Sequence, residues 1–183
     1  MYFDVVIIGG GPAGTAAGVR LLGAGLSCAV VSEGLSLGSG SKAEFLRLGG
    51  TFLPGDSVLG GEFSAQGSLL SVRTRNLEGT PLQARDFILA TGRFFSKGLV
   101  STMDRVYEPV FGCEVEFDPD RSKWCSQDFF APQPFEDFGV ITDECGRVSI
   151  GGTVVPNLYA CGEVLCGRQD ISQSVDRVCR SII

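Results

Sequence analysis

Tyr2-Phe3-Asp4-Val5-Val6-Ile7-Ile8-Gly9-Gly10-Gly11-Pro12-Ala13-Gly14 joins an apolar, largely β-branched run to a glycine turn. Such a run reads as a parallel strand buried on both faces. Residues 15–22 then carry Ala16, Ala17, Val19, Leu21 and Leu22 ahead of Gly23 and Gly25, which predicts a helix with a glycine exit. Cys28-Ala29-Val30-Val31 is a second apolar strand, so the first 34 residues read as one βαβ unit.

Within that unit Gly9, Gly11 and Gly14 match G-x-G-x-x-G between a strand and a helix. Gly9 permits the tight turn, Gly11 lets backbone approach a pyrophosphate, and Gly14 lets helix and strand pack closely. Pro12 and Ala13 complete the glycine turn, and the helix N-terminus that follows offers unpaired N–H groups and a positive dipole end to the phosphates. Dinucleotide binding is the functional reading; a purely structural glycine turn is the alternative. An acidic residue about 20 positions on normally takes the ribose hydroxyls. Here Ser32 fills that slot and Glu33 stands one place late. A slip of one residue turns a strand side chain to the opposite face, so Glu33 reaches a ribose only if the strand ends or bulges first. That departure weighs against NAD.

The length of 183 residues predicts one domain, or one with a small appendage, and 44% hydrophobic against 20% charged residues can supply its core. Glycine, at 26, is about twice its usual share of roughly 7%, which points to tight turns and close backbone approaches. A net charge of −6 and a pI near 4.7 argue against nucleic acid as a partner. Residues 102–147 hold eleven Asp or Glu against four Lys or Arg, so the acidity is concentrated there. With no histidine, the commonest metal ligand and general base are absent. The seven cysteines, an odd number without a C-x-x-C pair or a signal peptide, fit a reducing cytoplasm. Cys28 and Cys161 lie in apolar runs and read as buried hydrophobes rather than metal ligands. No apolar run approaches the roughly 18 residues of a membrane span.

Farther along, Gly38-Ser39-Gly40-Ser41 reads as a flexible stretch, and residues 43–48 as at most two helical turns. Residues 51–85, with short apolar runs punctuated by glycine, predict a β-meander. Phe87-Ile88-Leu89-Ala90-Thr91-Gly92 is a further buried strand ending in glycine, and Asn157-Leu158-Tyr159-Ala160-Cys161-Gly162 repeats the form. Ile171, Val175, Val178 and Ile182 then keep helical spacing behind Asp170, a plausible cap. Residues 101–134, rich in aromatics and acids, form either a wall over a ligand site or an excursion packed on the sheet.

These strings resemble the glutathione reductase type of flavoprotein. Ala90-Thr91-Gly92 is similar to that group's A-T-G strand end, and residues 153–163 resemble its second FAD signature, T-x-x-P-x-h-y-A-x-G-[DE], closing on Gly162 and Glu163. The resemblance implies that the Glu163 carboxylate accepts hydrogen bonds from the ribityl chain, a charge-assisted arrangement. Leu48-Gly49-Gly50-Thr51-Phe52-Leu53-Pro54-Gly55-Asp56, Thr91-Gly92-Arg93-Phe94-Phe95-Ser96-Lys97-Gly98-Leu99-Val100, Glu108-Pro109, Asp128-Phe129-Phe130-Ala131-Pro132-Gln133-Pro134 and Phe138-Gly139-Val140-Ile141-Thr142-Asp143-Glu144 are similar to the B-subunit family of anaerobic glycerol-3-phosphate dehydrogenases.

That family resemblance implies a Rossmann-like α/β domain with a parallel sheet and a β-meander crossover, binding FAD, with FMN as the alternative. It implies an oxidoreductase subunit carrying electrons from glycerol 3-phosphate towards quinone, with partner subunits that include an iron–sulfur protein. The location implied is cytoplasmic, peripheral to the inner membrane through those partners. The rival is a non-enzymatic flavin-binding or assembly module. Family members carry a long segment between the second strand and the Phe45 region, where this chain has only residues 34–43. Residues 38–41 are read either as a trimmed linker or as native cofactor contacts through Ser39, Gly40 and Ser41. Arg93 and Lys97 are candidates for placing positive charge near the reduced flavin, with solvated loop cations as the alternative. No catalytic base is assigned.

Overall fold

A computed structural model describes residues 1–34 and 40–183; Ser39 lies outside the described residues. Five parallel strands and one antiparallel edge strand run in the order β3-β2-β1-β6-β12-β11. They are β1 (Tyr2–Ile8), β2 (Cys28–Ser32), β3 (Thr51–Pro54), β6 (Leu82–Leu89), β12 (Thr153–Ala160) and, antiparallel to the last, β11 (Arg147–Ile150). The predicted parallel sheet is present, as is the opening βαβ unit, with α1 spanning Pro12–Gly23.

Alternation along the strands builds two cores. Ile7 pairs with Val30 and Ile88, and Ile88 with Tyr159. This row faces α1, α2 (Gly40–Arg47) and α3 (Ile171–Ile182), packing on Ala17, Leu21, Phe45, Val175 and Val178. The adjacent row, Val6 with Ala29 and Phe87, and Phe87 with Leu158, faces the other way. It packs on Val72, Trp124, Phe138 and Val140. A period of 2 in a strand buried on both faces dictates this division.

The meander differs in extent from the sequence reading. Phe52 belongs to the parallel strand β3, and the hairpin proper is β4 (Val58–Phe63) with β5 (Leu69–Thr74). Its third strand is not separate from the 87–92 strand: Leu82–Leu89 is one continuous strand whose first half pairs with β5 and whose second half pairs with β12. At this fork Asn157 bonds to the backbone of both Leu69 and Arg85. Gly40 and Ser41, expected in a flexible stretch, instead open α2.

Residues 100–140 serve both of the roles left open by sequence. Two small hairpins, β7 (Val100–Ser101) with β8 (Val106–Tyr107) and β9 (Val115–Glu116) with β10 (Gly139–Val140), frame the segment. Trp124 stacks edge-on with Phe117 and Phe138, with centroids 6.2 and 5.6 Å away, and seals one face of the sheet. The buried Glu108 carboxylate organises the link between the hairpins by accepting from the N–H groups of Val110, Phe111, Gly112 and Cys113 at 2.7 to 3.3 Å. As predicted, Asp170 caps α3, its side chain accepting from the Gln173 N–H at 3.0 Å.

Candidate functional site

Open parallel sheets bind ligands beyond the carboxyl ends of their strands, where neighbouring connections diverge. β1 stands at such a point, between β2 and β6. A cleft of about 660 Å³ opens there, within the roughly 300 to 1,000 Å³ span of small-molecule sites. Each strand end delivers one of the sequence motifs to it: Gly9, Gly11, Pro12 and Ala13 after β1, Glu33 after β2, Ala90, Thr91 and Gly92 after β6, and Glu163 after β12.

The glycines have distinct jobs. Gly9 has φ of +112°, and a Cβ there would collide with the Ala90 carbonyl. At Gly14 a Cβ would collide with the Gly9 carbonyl, so this residue fixes helix against strand and is not in the lining. Gly11 has open space where a Cβ would stand. It is also the N-cap of α1, with no side-chain cap and no acid in the first turn, which leaves the helix N–H groups and the positive dipole end for an anion. Gly162 is buried against Ala13, has φ of +80° and donates its N–H to Ser174 Oγ at 3.0 Å. It shapes the turn that presents Glu163.

The strand geometry answers the question of the late acid. β2 ends at Ser32, so Glu33 is free of strand alternation and reaches the cleft rim. Ser32 is buried; its Oγ donates to the Gly34 carbonyl at 3.2 Å, and its side chain lies where a Cβ on Gly10 would collide. Ser41 lies in the first turn of α2 and outside the lining.

A second wall joins part of the 101–134 segment, for which a wall is one of two sequence readings, to residues 56–59, which sequence reasoning missed. Asp56, Ser57, Val58, Leu59, Pro109 and Val110 line the far side. Asp56 is buried, and its Oδ1 accepts from the N–H groups of Ser57 and Asn76 at 2.8 and 3.0 Å, tying the ends of β3 and β5 together. The buried Ser57 Oγ has no hydrogen-bond partner among the described residues, and neither has Thr91 Oγ1. Buried polar atoms are nearly always paired, so an orphaned hydroxyl behind a cleft wall keeps hydrogen-bonding capacity that no protein group uses. For Asp56 the only foresight was the 48–56 string, noted for its resemblance and not for any chemistry; Pro109 stands in the Glu108-Pro109 string and in the 101–134 segment.

Arg93 is not a cleft cation. Its guanidinium donates to the carbonyls of Glu163, Leu165 and Gly167 at 2.7, 3.2 and 2.6 Å, stapling the turn after β12 to the loop after β6. Lys97 does line the cleft. Burial pushes the thiols of Cys28 and Cys161 up to about 12 and that of Cys179 up to about 11, so these remain protonated hydrophobes. No cluster of possible metal ligands occurs among the described residues.

An open helix N-terminus, glycines that clear a path, a rim carboxylate and an unpartnered wall hydroxyl fit a dinucleotide. The family described as FAD binding domain matches residues 4–65 and 37–174 of the chain. The B subunit of anaerobic glycerol-3-phosphate dehydrogenase from Vibrio vulnificus (strain YJ016) is 45% identical over 136 residues, which cover 73% of this chain and 31% of that protein. Its counterpart from Pectobacterium carotovorum subsp. carotovorum (strain PC1) is 44% identical over 140 residues, covering 76% and 33%. The chain thus spans about a third of the length of the curated relatives it matches. Among solved structures, THI4 of Thermovibrio ammonificans superposes with a TM-score of 0.58 at 16% identity, covering 99% of this chain and 88% of that one. A thioredoxin reductase from Gloeobacter violaceus does so with 0.57 at 13% identity, covering 99% and 93%. These two likenesses concern the fold alone.

Proposed function

The chain belongs to the FAD-binding domain family, and from that premise we propose that it is the flavin-holding part of an oxidoreductase of the glycerol-3-phosphate dehydrogenase type. The observation that carries the reading is the meeting of three motifs, at residues 9–14, 90–92 and 162–163, around one cleft at the strand ends. Gly11 and the α1 N-terminus receive the pyrophosphate, Glu33 the ribose hydroxyls, and Glu163 the ribityl chain. Bound FAD supplies the redox chemistry, taking two electrons from an alcohol. The protein positions and shields: Pro109, Val110, Val58 and Leu59 form an apolar wall that excludes water, and Arg93 holds the backbone of Glu163 in place.

Electrons from glycerol 3-phosphate then pass through an iron–sulfur partner protein towards a quinone at the membrane. In this reading membrane contact belongs to the partner; no helix among the described residues is long and apolar enough to cross a membrane. The whole chain acts as a single cofactor domain with little of a substrate cap between residues 34 and 43. A second reading, a flavin module that meets no organic substrate, draws support from the absence of histidine and of any other assigned base. Anaerobic addition of glycerol 3-phosphate to the FAD-loaded protein separates the two. Bleaching of the flavin absorbance supports the dehydrogenase; an unchanged spectrum that dithionite still bleaches supports the module.

A further inference from the structure

At the cleft rim, each oxygen of the Glu33 carboxylate faces its own cation: Oε1 lies 3.8 Å from Arg75 Nη2, and Oε2 lies 3.8 Å from Lys97 Nζ. The two cations arrive from different parts of the fold. Arg75 follows β5, and its N–H donates to the Ser57 carbonyl at 2.9 Å. Lys97 sits in the loop after β6, and both side chains line the same cleft as Glu33.

Lys97 reaches that position at a conformational cost. It has φ of +62°, and no other described residue apart from glycine has a positive φ. The loop around it is tight: Gly98 donates to the Arg93 carbonyl at 2.9 Å, Lys97 to the Phe94 carbonyl at 3.1 Å, and a Cβ on Gly98 would collide with the Gly92 carbonyl. A left-handed backbone favours glycine, so the tight loop around Lys97 must hold its long side chain against that preference.

We propose that Lys97 and Arg75 are positioning residues for Glu33, holding its carboxylate across the cleft rim so that it meets the ribose hydroxyls of the dinucleotide. The inference rests on the FAD reading above and adds to it two residues that no motif marks. The pairs are exposed, with Lys97 at 78% and Arg75 at 61%, so each one contributes modestly and is sensitive to salt.

The test is FAD titration of the intact chain at low and high salt, for wild type, Arg75→Ala, Lys97→Ala, Lys97→Arg, Glu33→Gln and the Glu33→Gln/Lys97→Ala double variant. An exposed pair is worth about 0.2 to 1 kcal/mol, so Lys97→Ala and Arg75→Ala should each weaken FAD binding by a factor of about 1.4 to 5 at low salt. High salt should shrink that loss, and Lys97→Arg should recover most of it. With Glu33→Gln already present, adding Lys97→Ala should cause no further loss. Lys97→Gly carries an opposite pair of signs, weakening FAD as the alanine variant does while raising the melting temperature of the cofactor-free protein. Equal losses from Lys97→Ala in both backgrounds, or no loss in either, overturn the positioning role alone. A wild type that binds no FAD overturns the cofactor reading along with it.

Discussion

Asn157 takes the place of a strand partner for Leu69: its Oδ1 accepts from the Leu69 N–H at 2.9 Å, and its Nδ2 donates to the Leu69 carbonyl at 2.8 Å. A third bond reaches the Arg85 carbonyl at 2.9 Å. One amide side chain thereby satisfies backbone groups where β5 and β12 diverge along β6. Asn157→Leu removes all three bonds and leaves polar backbone half-buried, a loss of about 2 to 4 kcal/mol at roughly 1 kcal/mol per bond plus desolvation. The urea midpoint should fall with an unchanged slope. An unshifted midpoint would mean that water replaces the side chain at the fork.

Glu108 offers a second point of attack. Its carboxylate gathers four backbone N–H groups, and Pro109 and Val110 beside it form the cleft wall. Glu108→Gln keeps the shape but turns a donor towards those N–H groups, and charged hydrogen bonds are worth about 1.5 to 3 kcal/mol. Thermal denaturation should show a loss of that order, and FAD affinity should fall with it as the wall loosens. Edge-on packing of the single tryptophan should report the change by fluorescence only if the disturbance spreads beyond residue 113.

Gly11 and Gly14 separate cofactor binding from folding. A side chain at Gly11 enters open cleft, whereas one at Gly14 strikes the Gly9 carbonyl. Gly11→Val should melt close to wild type without cofactor and fail to take up FAD. Gly14→Ala should be the more destabilised of the two, by several degrees or to insolubility. The reverse order in cofactor-free melting curves would show that Gly11, not Gly14, carries the packing.

Thiol titration checks the two cores. Cys125 and Cys145 are exposed and Cys166 is half-buried, while Cys28, Cys113, Cys161 and Cys179 are buried. Because desolvation raises the pKa of each buried thiol, thiolate is scarce there at pH 8. A disulfide reagent should modify Cys125 and Cys145 rapidly, Cys166 slowly and the other four only in denaturant. Rapid modification of any buried cysteine in the folded protein contradicts the packing described.

What the sequence makes legible is local. The 2–14 stretch carries strand, turn and helix in adjacent residues, and the Asp170 cap announces its helix. Glu33 is readable only as a condition on where β2 stops, and the strand does stop at Ser32. The continuous β6 reads as two pieces because its halves pair with strands of opposite sense, a tertiary fact that composition does not encode. Asn157, beside Pro156 in an otherwise apolar strand, is the available warning, since both are poor in central strands. The roles of Ser57, Arg75 and Lys97 arise where distant segments converge, and none leaves a periodic trace. Arg93 and Lys97 are neighbours in one loop with the same charge, yet one is spent on carbonyls and the other faces the cleft.

The most direct test of the central claim is to reconstitute the purified chain with FAD, remove free cofactor by gel filtration, denature it and quantify the flavin released per chain, with Gly11→Val treated alongside. The account predicts stoichiometric FAD from the wild type and little from the variant. A wild type that releases no FAD, or a Gly11→Val variant that releases as much as the wild type, contradicts it.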